Sequence, residues 1–122
     1  MGKYASSDVL DGALNIVKSA TSMVAVGGQP ATYAAAVAAK LCEATLSPAD
    51  FTFAAGDVSG RKVTVAAKAG LTVAAAGTAD HVALLDPATS RLLYVTTCPA
   101  QALPAGGTVS FAPWSVEVGA PV

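Results

Sequence analysis

The chain has 122 residues, a formal net charge of −1, and 53% hydrophobic against 12% charged residues. That length suits one domain whose core needs no metal or disulfide, and so apolar a composition excludes extended disorder. Lys and Arg are scattered singly, which leaves no basic stripe for a phosphate backbone and excludes direct nucleic-acid binding as an expectation.

The opening residues, MGKYASSDVLDG, lack the apolar centre of a secretory signal. Gly2 and Ser6 match the short myristoylation pattern, which chance accounts for. Ser6 or Ser7 can cap a helix, with Asp8 in its first turn favouring the positive end. Val9, Leu10, Ala13, Leu14 and Val17 then form one stripe at helical spacing, and Asp11, Asn15 and Lys18 fall on the other side. Gly12 weakens this helix by about 1 kcal/mol relative to Ala, so packing must support it. Residues 1–20 read as an N-terminal helix or arm, and residues 21–122 as a β domain.

Ser22–Val26 is a short β-prone run stopped by Gly27-Gly28-Gln29-Pro30. Over 31–46 two signals compete. The alanines favour a helix through Val37, whereas Leu41–Leu46 resembles a strand feeding the turn at Ser47-Pro48-Ala49-Asp50. Because Gln-Pro-Ala-Thr-Tyr is a poor start for a long helix, a turn followed by a strand is the expectation here. From Phe51 the rhythm is β. Arg61–Ala67 sets Val63 and Val65 against Lys62 and Thr64, and Leu71–Ala75 follows the break at Ala69-Gly70.

Asp80–Leu85 and Leu92–Thr97 flank Asp86-Pro87-Ala88-Thr89-Ser90, a composition that suits a four- or five-residue hairpin loop. Both runs are apolar on either face, so this hairpin is expected inside a sandwich or at a subunit interface. Thr108–Phe111 and Trp114–Val118 close the β pattern. Trp114, Val116 and Val118 should point inward, with Pro113 excluding one continuous central strand. Short strands with Gly and Pro punctuation indicate a mainly β fold: a β-sandwich, immunoglobulin-like or jelly-roll-like, with one N-terminal α-helix. No apolar run is long enough for a transmembrane span, so no membrane partner is expected.

Residues that might carry chemistry form no convincing set. His81 is the single histidine. Its neighbour Asp80 should point to the opposite strand face, away from the imidazole. Ser59 and Ser90 lie outside any nucleophile elbow. The loop Gly56-Asp57-Val58-Ser59-Gly60-Arg61-Lys62 superficially suggests a phosphate loop. It has the wrong glycine spacing, however, and Val63 stands where Ser or Thr would hold magnesium. Asp57, Asp80 and Asp86 fall at strand ends or turns, where Asp satisfies local N–H groups. Cys42 and Cys98 have no partner at metal-ligand spacing and read as reduced, packed residues. No enzyme activity, cofactor or metal is expected.

Three phrases, MGKYASSDVLDGAL, PADFTFAAGDVSGRKVTVAA and GTADHVALLD…RLLYVTTCPAQALPAGGTVSFAPWSVEVGAP, carry a resemblance that covers nearly the whole chain. Its most specific parts are Ser59-Gly60-Arg61-Lys62 and the block from Asp80-His81-Val82-Ala83 to Tyr94-Val95-Thr96-Thr97. Together they resemble a family of small structural proteins from tailed-bacteriophage and prophage virion gene clusters. The resemblance implies a non-enzymatic virion protein, a capsid decoration (cement) protein, assembled in the host bacterial cytoplasm. Its partners would be itself, as a homo-oligomer such as a trimer, and the major capsid protein or other virion proteins. Val9, Leu10, Leu14, Val17, His81 and Tyr94 are the expected interface residues. The alternatives are a tail or head-fibre component that binds a receptor or carbohydrate, and a homo-oligomer that assembles without a capsid.

Overall fold

The structure, a computed structural model, describes residues 4–120. Helix α1 spans Ser7–Lys18, with Ser6 Oγ accepting the Val9 N–H at 3.3 Å and Asp8 and Lys18 placed at the dipole ends that favour them. The order continues β1 (Ser22–Val26), α2 (Tyr33–Ala39), β2 (Lys40–Thr45), β3 (Phe51–Ala55) and β4 (Arg61–Val65). A 3-10 turn at Pro48–Asp50 links β2 to β3. The chain then runs through β5 (Lys68–Thr72), β6 (Gly77–Asp86), β7 (Arg91–Leu103), β8 (Thr108–Phe111) and β9 (Trp114–Val118). At 50% strand and 19% helix the class is mainly β.

Every strand pairing is antiparallel, in sheets ordered β2-β1-β6-β7, β3-β4-β9 and β5-β8. The layers follow from alternation along β1 and β6. Met23 on β1 and Val82 and Leu84 on β6 face a core shared with Val63 and Val65 of β4, Val116 of β9 and Leu14 and Val17 of α1. Ala25, Cys42 and Ala79 continue that face toward Val73 and Leu103, where β5 and β8 close over it. On the opposite face Val24, Val26, Ala83 and Leu85 meet Ala36 of α2. The arrangement is sandwich-like: a four-stranded sheet lies between α2 and a second layer made of the two smaller sheets and α1.

The double-sided apolarity of the hairpin is therefore accounted for along β6, where Val82 through Asp86 are all buried. Its partner β7 is the sheet edge and is only half-buried from Leu92 to Thr96. The loop has four residues between the Asp86↔Arg91 pair, with Ser90 at φ 54°. Asp86 anchors it, accepting from Thr89 Oγ1 at 2.8 Å and from Arg91 at 3.2 Å.

Two expectations are corrected. The fold has two α-helices rather than one, because Tyr33–Ala39 is helical and not a turn. Thr32 Oγ1 accepts the Ala35 N–H at 3.1 Å, and the small Ala36 side chain lets the helix backbone settle on Val24, Val26 and Ala83. The strand expected over Leu41–Leu46 is present as β2. The run expected at Leu71–Ala75 begins earlier, at Lys68, and takes a bulge around Gly70 (φ 69°) where it pairs with β8.

Candidate functional site

A cleft of about 450 Å³ lies between β7 and the β8–β9 corner. Its floor is apolar, made by the buried Ala25, Ala79, Val82 and Leu103. The walls carry Thr96, Thr97, Gln101, Ser110 and Ser115, with the rings of Phe111 and Trp114. No charged side chain lines it.

Irregularity in β7 opens this cleft. Pairing with β6 jumps from His81↔Thr97 to Ala79↔Gln101, so Cys98, Pro99 and Ala100 together oppose Asp80. Pro99 has no N–H for a ladder, and a bulge is where a strand tolerates it. A second irregularity leaves Leu93 extra between Leu84↔Tyr94 and Leu85↔Leu92. Across the cleft, Pro113 breaks the chain between β8, which pairs with β5, and β9, which pairs with β4. The two walls therefore belong to different sheets and stay apart.

Trp114 is held from two directions. Its indole N–H points to the Met23 sulfur at 3.5 Å, and Tyr94 stacks on it with ring centroids 6.0 Å apart at 26°. A ring fixed in this way is pre-organised on the cleft wall. Cys98 also lines the cleft, but burial and then the Asp80 charge push its thiol above the usual range. It stays protonated at neutral pH and is a poor nucleophile.

Sequence reasoning missed how Asp80 meets His81. Asp80 Oδ1 lies 2.7 Å from His81 Nδ1 and accepts the Gly28 N–H at 2.7 Å. Alternation is suspended at the bulge, where twist lets two neighbouring side chains meet. The His81 contact, followed by Gly28, holds the Asp80 carboxyl below the usual range. The carboxylate thus engages the imidazole and the Gly28 N–H, and its charge also acts on the Cys98 thiol.

The interface residues expected from sequence separate into distinct places. Leu10, Leu14 and Val17 are covered by the chain's own core, because the α1 stripe packs on β4 and β9. Of the four helix residues Val9 alone is exposed, at 65%. Tyr94 is half-buried against Trp114, and His81 is held by Asp80. The helix thus does not extend as a free arm: Arg61 Nε pairs with Asp11 at 2.9 Å, and Lys18 Nζ lies 5.3 Å from the centre of the Phe53 ring.

The loop Gly56–Gly60 does bind an anion, and that anion is part of the chain. Glu117 on β9 receives the backbone N–H groups of Asp57, Val58 and Ser59 at 2.6, 3.2 and 3.4 Å. Gly56 N–H bonds to the Gly60 carbonyl at 2.9 Å, and a Cβ on Gly60 (φ 70°) would lie 2.0 Å from the Val118 oxygen. Ser59 Oγ accepts the Ala120 N–H at 3.1 Å. The alternation of β9, which puts Glu117 outward, was the available signal for this contact.

Among the described residues there is no group of three or more His, Cys, Asp or Glu side chains placed to hold a metal, and no disulfide joins Cys42 to Cys98. No described helix is long and apolar enough to cross a membrane. Comparison with protein-family models, curated proteins and solved structures finds no match to this chain.

Proposed function

We propose that this protein is a non-enzymatic structural component of a tailed-bacteriophage virion, a capsid decoration protein acting through contacts with the major capsid protein and with copies of itself. The observation that carries the reading is apolar surface mounted on rigid supports. Val58 is 91% exposed at the tip of the loop that Glu117 and the Gly56–Gly60 bond hold closed. The Asp11–Arg61 pair brings α1 beside the start of β4, next to that loop. Val9 and Ile16, exposed at 65% and 53%, lie two turns apart on the same side of α1.

Side chains of this kind lose little entropy when covered and gain by burying apolar area. Repeated over a shell, each such contact stabilises the assembled state by mass action, without chemistry. The resemblance carried by Ser59–Lys62 and the Asp80–Thr97 block supports the same reading.

Electron microscopy of purified particles tests it: density for this chain should cover the head in many copies. A handful of copies confined to the tail or portal would overturn the decoration role. Light scattering of the free protein should give a defined homo-oligomer, a trimer being the state that suits a shell lattice, and Val58→Asp should weaken attachment to particles.

A further inference from the structure

We propose that the cleft between β7 and the β8–β9 corner binds a neutral saccharide, an activity that does not depend on the assembly role above. Its volume of about 450 Å³ falls within the ~300–1,000 Å³ of small-ligand sites. The class of ligand follows from the lining. No charged residue faces it, so the lining offers no counter-charge to offset the partial desolvation of an ionic ligand, which disfavours one against a neutral ligand.

A wholly apolar ligand fits no better, because it would leave the wall of Thr96, Thr97, Gln101, Ser110 and Ser115 without partners. Hydroxyls and one carboxamide both donate and accept, which matches the hydroxyl groups of a sugar. The C–H face of a pyranose needs an aromatic surface, and Trp114 offers one already fixed by Tyr94 and Met23. An added peptide strand is the poorer occupant. Pro99 and Pro113 remove backbone donors from the two walls, and the β7 bulges break the even spacing that a ladder requires.

Trp114 is the single tryptophan, so its fluorescence reports on the cleft directly. The full-length protein is titrated with neutral trisaccharides of glucose, galactose, mannose and N-acetylglucosamine, and with trigalacturonic acid as the charged counterpart. The expected result is a saturable fluorescence change with at least one neutral sugar and none with the acidic one. The same sugar should slow modification of Cys98 by a thiol reagent, while Cys42, buried on β2, stays unreactive. Gln101→Lys and Thr97→Asp, both at exposed positions, should keep the fold by circular dichroism and weaken binding by about tenfold or more. No saturable change with any neutral sugar overturns the proposal. So does unchanged affinity in both variants, tighter binding of the acidic sugar, or occupation of the cleft only by an alkane probe. Particle localisation is read separately, so failure here leaves the decoration role standing.

Discussion

Glu117 Oε1 accepts the backbone N–H of Asp57 at 2.6 Å, and its second oxygen receives those of Val58 and Ser59. One carboxylate on β9 thereby closes a loop sixty residues earlier in the chain. Glu117→Ala should cost about 0.5–2 kcal/mol, the range for losing a capping side chain, since water reaches the freed N–H groups. Hydrogen exchange at residues 57–59 should accelerate while exchange in β1 and β6 stays slow. Unchanged protection at 57–59 would contradict the assigned contact.

The packing of α1 predicts opposite results for two of its positions. Leu14 is fully buried in the main core, so Leu14→Ala should destabilise by about 2–5 kcal/mol. Val9 faces outward, and Val9→Asp should change stability by less than about 0.5 kcal/mol. Denaturant melts separate them. If the decoration reading holds, Val9→Asp reduces particle binding with its melting curve intact, whereas removing the whole helix abolishes folding and binding together.

What could be read from the sequence was local. Pro113 and the alternation of Val116 against Ser115 and Glu117 mark β8 and β9 at their observed limits, and Gly27-Gly28 ends β1 where it stops. What escaped depends on distant partners. Alanines in Tyr33–Ala39 carry no face of their own, and only the apolar outer surface of β1 and β6 makes that short segment a helix. The Asp80–His81 contact lies opposite the register shift that contains Pro99 on the neighbouring strand. The cleft was invisible because its walls come from different sheets, and Trp114, expected as a plain inward residue, is half-buried on its rim.

That account of α2 is testable by volume. Ala36 is fully buried between the helix and Val24, Val26 and Ala83, whereas Ala38 on the same helix is exposed. Ala36→Leu should overpack the contact and cost about 1–3 kcal/mol, while Ala38→Leu should lie within about 0.5 kcal/mol of the parent. Equal effects at the two sites would mean that α2 does not pack on the sheet as described.

Acid sensitivity follows from four carboxylates held below their usual range. Glu43 is lowered by the Ser22 hydroxyl and then by Lys40, and Asp50 by the Ser47 N–H and then by Lys68. Asp80 is lowered by His81 and then Gly28, and Asp86 by Thr89 and then Arg91. Because these groups bind protons more weakly folded than unfolded, the unfolded chain takes up more protons through the window between the two values. Their contribution is complete above the ordinary carboxylate range, about pH 4, and is lost as pH falls through the lower folded values. The melting temperature should therefore drop steeply on acidification below about pH 4. Asp80→Asn removes one of the four protonations and should make that acid limb shallower. An identical acid limb in the variant would show that the Asp80 contacts to His81 and Gly28 do not stabilise the fold.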